Sequence, residues 1–295
     1  MTPRCGYVAL LGRPNAGKST LLNQAVGAKV SIVTPKAQTT RFRVSGIVMR
    51  GQSQIVLIDT PGLFAPKRRL DRAMVAAAWD SVAGADLACM IVDAFRAKPD
   101  DLAEPLEALA RTGRHRWLIL NKIDLLPREK LLPLAETLAK AGSFAEVFMI
   151  SALKRDGIDH LLDAMGKAMP EGPHLYPEDE LTDQTDRMLA AELVREQIFM
   201  QLREEIPYGA SVETESFKDL ADGSARIDLT IYVARAAHKK IMLGEGGAQI
   251  KSIGTKARTQ LEKLLERRVH LFLNVKDRPG WDEESARLRA LGLEG

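Results

Sequence analysis

Five short runs in the first 170 residues are apolar throughout: Tyr7–Leu11, Ile55–Ile58, Ala88–Val92, Trp117–Leu120 and Val147–Ile150. Strands buried on both faces read this way, without the alternation of a half-exposed sheet. Between them, Ser19–Val26, Arg69–Val82, Pro99–Thr112 and Arg128–Lys140 carry apolar residues at the three- and four-residue spacing of an amphipathic helix. This alternation predicts an α/β fold with a mainly parallel, doubly wound sheet. Thr39–Arg50 has mixed polarity and reads as one further strand.

The texture changes at Pro170. Pro170, Pro173 and Pro177 lie among acidic residues in PEGPHLYPEDELTD, which reads as a linker because proline removes backbone donors and favours extended neighbours. Beyond it, Arg187–Glu205 predicts a helix, Pro207–Gly209 a turn, and Ser211–Phe217 and Ala225–Val233 a strand pair around Asp222-Gly223. Ala237–Met242 predicts a short helix, Gly247–Glu266 a longer one and Val269–Val275 a last strand. The order αββααβ describes a smaller α+β domain.

A length of 295 residues accommodates these two units. No apolar run reaches the roughly 20 residues of a membrane helix, and the N-terminus lacks the apolar core of a signal peptide. Two distant thiols, Cys5 and Cys89, suit a reducing compartment, so a cytoplasmic location is expected. The five histidines pair with no cysteine, and no zinc site is expected. The net charge is only +3, but residues 1–170 carry 24 basic and 16 acidic side chains, residues 171–222 carry 4 and 14, and residues 233–270 carry 9 and 3. A basic segment beside an acidic one suits a polyanion on one surface only.

Gly12-Arg13-Pro14-Asn15-Ala16-Gly17-Lys18-Ser19 matches GxxxxGK[ST], following a strand and opening the helix that continues through Thr20. Its backbone N–H groups would wrap a phosphate at a helix N-terminus, Lys18 would bridge the β- and γ-phosphates, and the Ser19 hydroxyl would ligate Mg²⁺. Asp59-Thr60-Pro61-Gly62 is a DxxG at a strand end. There Asp59 would hold Mg²⁺ through water, and the Gly62 N–H would sense the γ-phosphate. Asn121-Lys122-Ile123-Asp124 is an NKxD. The Asp124 carboxylate accepts from guanine N1–H and N2–H, which adenine does not offer, so GTP and GDP are the expected ligands. Asn121 would brace the loops and the Lys122 stem would cover the base. Ser151-Ala152 follows the last strand and offers a backbone N–H for guanine O6.

These signals in this order resemble a Ras-like GTPase over the first 170 residues. The resemblance puts the switch I threonine at Thr40, or else Thr39, closing on Mg²⁺ and the γ-phosphate. It also exposes a departure: Leu63 stands where such enzymes place a water-orienting glutamine, so slow intrinsic hydrolysis is expected. Asn15 suggests a substitute, a bound K⁺ that supplies positive charge near the phosphates. Lys18, Thr40, Gly62 and Asn15 are therefore the expected catalytic set, and Ser19, Thr40 and Asp59 the metal set.

In the second unit, Gly244-Glu245-Gly246-Gly247 followed by Ile250 and Lys251 fits the KH pattern, whose GxxG loop clamps about four nucleotides of single-stranded RNA. Lys239, Lys240, Lys251, Lys256 and Arg258 would counter phosphate charge, whereas Glu245 departs from the basic residue such loops often carry. A Ras-like GTPase followed by a type II KH domain resembles the bacterial Era family. TTRFRVSGI, YPEDELTD and Gly280-Trp281 add to the likeness. That resemblance implies a GTP-binding domain at 1–170, a linker at 171–185, a KH domain at 186–280 and a tail at 281–295. It further implies a ribosome-assembly switch that binds the single-stranded 3′ end of 16S rRNA and the 30S subunit in its GTP form, with loose peripheral attachment to the inner membrane. Nothing demands a dimer, and a monomer is expected. The alternative is an RNA-binding scaffold whose nucleotide site is structural and turns over negligibly.

Overall fold

The computed structural model describes residues 2–293. Met1, Glu294 and Gly295, which fall in the expected first domain and tail, lie outside the described residues.

The first domain is built on a six-stranded sheet of β1 (Arg4–Leu11), β2 (Val44–Arg50), β3 (Ser53–Asp59), β4 (Leu87–Asp93), β5 (Arg116–Asn121) and β6 (Glu146–Met149), in the order β2-β3-β1-β4-β5-β6. Only β2 runs antiparallel, against β3. The helices are α1 (Lys18–Val26), α2 (Arg69–Ala83), α3 (Ala103–Arg111), α4 (Arg128–Gly142) and α5 (Ile158–Ala168). Two hydrophobic clusters cover the two faces of the sheet: Val8, Leu10 and Ile55 pack with α1 and α5, and Ala9, Leu11 and Met90 with α2, α3 and α4. This explains strands that are apolar at every position.

Several elements differ from expectation. Residues 39–43 form no strand, and the predicted Thr39–Arg50 begins only at Val44. Pro99 opens a 3₁₀ turn to Leu102, and the α-helix starts at Ala103. The helix α5 was not among the predicted elements. The proline-rich segment is not a loose tether. The Gln54 side chain accepts from the Leu175 and Tyr176 N–H groups at 2.9 and 3.0 Å, and the Ile47 N–H donates to Leu181 O at 2.9 Å. The segment is thus strapped along the β2–β3 edge.

The second domain has α6 (Asp186–Gln201), β7 (Ala210–Asp219), β8 (Ala225–Val233), α7 (Ala236–Leu243), α8 (Ala248–Leu265) and β9 (Val269–Asp277), which is the predicted αββααβ order. Its sheet runs β7-β8-β9, with β7 antiparallel and β9 parallel to β8. The predicted first helix stops short of Glu205, because Leu202 turns extended and an incoming lysine, Lys36, binds the Phe199 and Leu202 carbonyls. The expected tail is ordered as a 3₁₀ turn (Trp281–Glu283) and α9 (Ser285–Ala290). Trp281, Leu288 and Leu293 are buried against Leu70 and Met74 of α2, so the C-terminal segment packs onto the first domain. Among the described residues, no helix is long and apolar enough to cross a membrane.

Candidate nucleotide site and nucleic-acid interface

The P-loop follows β1, Asp59 ends β3, Asn121 ends β5 and Ser151 follows β6. All four signatures therefore leave the carboxyl ends of strands. The strand order reverses about β1, and such a switch point opens a crevice above the strand ends. A cleft of about 350 Å³ lies there, bordered by Asn15, Lys18, Ser19, Thr40, Gly62 and Lys122. Gly17 has φ +100°, and a Cβ there would come within 2.1 Å of the Asn121 amide, so only glycine fits this turn into α1.

The Lys18 ammonium is buried and donates to Gly12 O at 3.1 Å and Arg13 O at 3.4 Å. Burial pulls its pKa down, opposed by the charge of Asp59. Asp59 Oδ2 accepts from the hydroxyls of Ser19 (2.6 Å), Ser31 (3.0 Å) and Thr40 (3.1 Å). Its other oxygen is buried with no partner among the described residues. Burial raises the Asp59 pKa, while Lys18 and the three hydroxyls oppose the rise. One carboxylate with converging hydroxyls is a hard-oxygen donor set, and an orphaned buried oxygen is costly unless a cation or its water meets it. These residues fit Mg²⁺. Of the two candidate threonines, Thr40 reaches Asp59, whereas the Thr39 hydroxyl turns to Thr34 Oγ1 (2.6 Å) and Lys36 O (2.8 Å).

Ser31 had no motif to reveal it. Asn23 of α1 places it, donating to Ser31 O at 2.7 Å and accepting from the Val30 and Ser31 N–H groups at 3.0 and 2.8 Å. Around the phosphate loop, Asn15 has φ +64° and its amide donates to Pro35 O at 3.1 Å, which ties the P-loop to switch I. Arg13 turns its guanidinium outward to Asp101 at 2.9 Å and offers the site only its backbone. Thr20 lies in the first turn of α1. The Thr60 hydroxyl donates to Leu10 O at 2.7 Å, and Pro14 packs directly against Gly62. Pro61 and Ala16 are buried in the loops beside them. Leu63 is 5% exposed, packs in the apolar cluster under α2, and donates its N–H to Gly12 O at 3.0 Å. It therefore locks the DxxG loop to the P-loop and presents nothing to a water.

At the base end, Asn121 braces the loops as expected. Its Nδ2 donates to Ala16 O (2.8 Å), and its Oδ1 accepts the N–H groups of Lys122 (2.8 Å) and Ala152 (2.9 Å). Ile123 opens a 3₁₀ turn that presents Asp124. The Asp124 carboxylate accepts from Ser151 Oγ at 2.7 Å, and this bond chiefly lowers its pKa. The two N–H groups expected near guanine O6 both have partners within the protein. The Ala152 N–H is taken by Asn121 and the Ser151 N–H by Asp156 O, so neither is free, and the next N–H, of Leu153, has no partner among the described residues. The Lys122 ammonium spans the cleft mouth to Asp93 Oδ2 (2.6 Å) and Asn15 O (2.7 Å). Asp93, at the end of β4, was also unforeseen; its only sequence signal was its place after an apolar run.

In the second domain the loop 244–247 joins α7 to α8 with φ +74°, +56° and +79° at Gly244, Gly246 and Gly247. A Cβ on Gly244 would lie 2.7 Å from Gln249 Cβ, whereas Gly246 and Gly247 face open space. Glu245 is exposed and has no side-chain partner among the described residues. Beside the loop, a groove of about 270 Å³ between α8 and β9 is lined by Ile250, Lys251, Gly254, Arg258, Leu271 and Leu273. Lys251 and Arg258 share that face of α8. Lys256 falls on another face and outside the groove, against expectation. Lys240 is exposed one turn before the loop, and Lys239 lies 3.9 Å from Asp277.

Residues 7–122 match the family described as 50S ribosome-binding GTPase, and residues 205–281 match the KH domain. A GTPase Era of Afipia carboxidovorans is 52% identical over 292 residues, covering 99% of this chain and 94% of the relative. The chain belongs to the Era family. A GTPase Era of Bradyrhizobium sp. is 50% identical over 99% of the chain and 95% of its own length. The crystal structure of a point variant of Aquifex aeolicus Era bound to GDP·AlF₄⁻ superposes with a TM-score of 0.93 at 38% identity, covering 99% of this chain and all of that one. A second Era structure, in complex with MgGDPNP and nucleotides 1506–1542 of 16S ribosomal RNA, gives 0.90 at 38% identity over 99% and 100% of the two chains. Era proteins are GTP-hydrolysing enzymes, which sets aside the reading of this nucleotide site as purely structural.

Within this Era chain, the segment 29–41 that leads to Thr40, called switch I here, does not end at the nucleotide. Ile32 packs into the core of the KH domain with Leu193 and Val194 of α6. The Lys29 ammonium donates to Glu196 at 2.6 Å, and the Val33 N–H to the same carboxylate at 3.1 Å. Lys36 binds the carbonyls at the end of α6. Arg41, 2% exposed, donates to Ala210 O (2.6 Å), Tyr208 O (3.0 Å) and Pro207 O (3.2 Å). Its guanidinium lies over the Phe199 and Trp281 rings, 5.8 and 5.6 Å from their centroids. Burial, and then the charge of Arg195, pull its pKa down to about 9, so it remains a cation at neutral pH.

Proposed function

We propose that this enzyme is a switch for small-subunit assembly: it hydrolyses GTP and binds the single-stranded 3′ end of 16S rRNA and the 30S subunit, with the GTP state favouring the RNA-competent form. The carrying observation is one chain that presents both a converged Asp59–Ser19–Thr40 cluster and an open GxxG groove. The family resemblance and the rRNA-bound Era structure support the choice of RNA. The proposed divisions are a GTP-binding domain at 1–170, a strap at 171–185, the KH domain at 186–280 and the C-terminal segment from 281. Loose attachment to the inner membrane rests on the sequence resemblance alone, and a monomeric state on a sequence in which nothing demands a dimer; sedimentation with and without membranes tests both.

Phosphate oxygens replace the Gly12 and Arg13 carbonyls as partners of Lys18, whose buried charge gains in strength where water is excluded. Ser19, Thr40 and Asp59 hold Mg²⁺, which supplies charge neutralisation for the transferring phosphoryl group. The Gly62 N–H meets the γ-phosphate, and Asp124 selects guanine. Water attacks the γ-phosphate, and its loss frees both the Thr40 and Gly62 loops. With Leu63 in the core, no side chain after DxxG orients the water, so intrinsic turnover is slow. Asn15 lines the cleft and its amide oxygen is available to a K⁺ beside the phosphates; equal turnover in KCl and NaCl excludes that ion.

The test is binding of a short single-stranded RNA from the 16S 3′ end with a non-hydrolysable GTP analogue, with GDP and without nucleotide. Tightest binding with the analogue is expected. Equal binding in all three removes the switch, and no binding in any removes the RNA site.

A further inference from the structure

We infer that Arg41 is a positioning residue for GTP, and that the KH-domain turn Pro207–Ala210 is in effect an outlying wall of the nucleotide site. This rests on the proposed role of Thr40, its neighbour in sequence.

Thr40 must present its hydroxyl, 3.1 Å from Asp59, at a fixed point in the cleft. Residues 39–43 belong to no helix or strand, so no backbone ladder holds them. A loop without a ladder is normally at the low end of local stability. Here the residue after Thr40 is the most deeply anchored of the loop. Its guanidinium donates to three backbone carbonyls of one turn and lies over the Phe199 and Trp281 rings. Arginine suits this cage: it is planar, it carries five donors in a rigid fork, and it stacks on aromatic faces. Lysine would keep the charge but lose the stacking and the fork.

The acceptors are main-chain atoms, so this recognition depends on the path of the turn and not on its side chains. That path is itself fixed by Ala234 of the KH domain and Trp281 of the C-terminal segment. The Gly209 carbonyl accepts from Trp281 Nε1 at 3.0 Å, and the Ala234 N–H donates to the same carbonyl at 3.1 Å. A displacement of the turn would therefore carry Arg41, and with it Thr40, away from Asp59. GDP lacks the γ-phosphate that switch I closes upon, so loosening Arg41 penalises GTP and spares GDP. A residue that merely glued the domains together would lower stability without that selectivity.

The experiment uses the full chain with Arg41→Lys, Arg41→Gln, Lys36→Ala and Thr40→Val, each checked by thermal melting. Affinities for GDP and for a non-hydrolysable GTP analogue are measured, together with kcat and KM. For Arg41→Gln the expected result is analogue affinity down about tenfold and KM up in proportion, with GDP affinity within twofold. Arg41→Lys should recover part of the loss, since a cation coordinated by carbonyls remains. Lys36→Ala removes a peripheral tether to α6 and should shift the analogue-to-GDP ratio about threefold, an arm that stands if the Arg41 variants do not fold. An unchanged ratio in folded Arg41→Gln, or in Lys36→Ala should the Arg41 variants not fold, overturns the inference. If Thr40→Val also leaves the ratio unchanged, the reading of Thr40 fails with it. If Thr40→Val shifts the ratio and Arg41→Gln does not, only the inference about Arg41 fails.

Discussion

The nucleotide cleft and the GxxG groove recognise their ligands by opposite means. In the cleft, buried side chains hold each other before any ligand arrives: Asn121 ties three loops together, and Asp59 gathers three hydroxyls. At the groove, Glu245, Gly246 and Lys251 are exposed, and the side chains of Glu245 and Lys251 hold nothing among the described residues. A site of the first kind discriminates sharply, because a wrong ligand leaves buried polar atoms unpaired. A site of the second kind lets a polyanion approach the backbone and binds largely by charge, so its affinity is graded and salt-dependent.

That contrast can be broken by four measurements. Asp124→Asn should weaken GDP and GTP binding at least ~100-fold while leaving nucleotide-free RNA affinity within twofold, measured by titration calorimetry. A parallel loss of RNA affinity would mean the two sites are not separable. Glu245→Lys should tighten RNA binding about fivefold and steepen its salt dependence by one to two ~0.7-unit increments of slope, with GTP turnover unchanged. Lys251→Ala should weaken RNA about threefold and flatten the salt slope by about one such increment, whereas Lys256→Ala, outside the groove, should do neither. The smallest effect is with pH. Ser151 holds the Asp124 pKa below its ordinary value, so the folded carboxylate stays charged and its contribution is lost only as pH falls through that depressed value. Guanine-nucleotide affinity should therefore vary less than about twofold through this group between pH 7 and pH 5, and Ser151→Ala should move its titration upward.

Most of the cleft was legible in the sequence because its chemistry is local. Gly17, Lys18 and Ser19 act at fixed spacing along one turn, and Asp59, Asn121 and Ser151 each stand next to a buried strand that the apolar pattern reveals. Ser31, Asp93 and Arg41 were not legible in this way. Ser31 acts on a residue 28 positions away through an Asn23 clamp, Asp93 through Lys122, and Arg41 through carbonyls 166 to 169 positions along the chain. The choice between Thr39 and Thr40 also needed the fold, since adjacent hydroxyls are equivalent until the loop path sends one to Thr34 and the other to Asp59. Ala152 shows a contact that no motif revealed: its N–H donates to Asn121 Oδ1 at 2.9 Å.

By itself the amino-acid sequence determined the two folds, the αββααβ order of the second domain, the guanine-nucleotide chemistry and the presence of an RNA-type loop. These follow from periodicity and short-range spacing, which survive without knowledge of distant contacts. Only the tertiary structure decided that the proline-rich segment is a strap, that the C-terminal segment is buried on α2, and that switch I is anchored in the KH domain. Those outcomes depend on which surfaces meet. Proline and acidic residues look like a free linker until Gln54 bonds their backbone, and Trp281 looks like a tail residue until Leu70 and Met74 cover it.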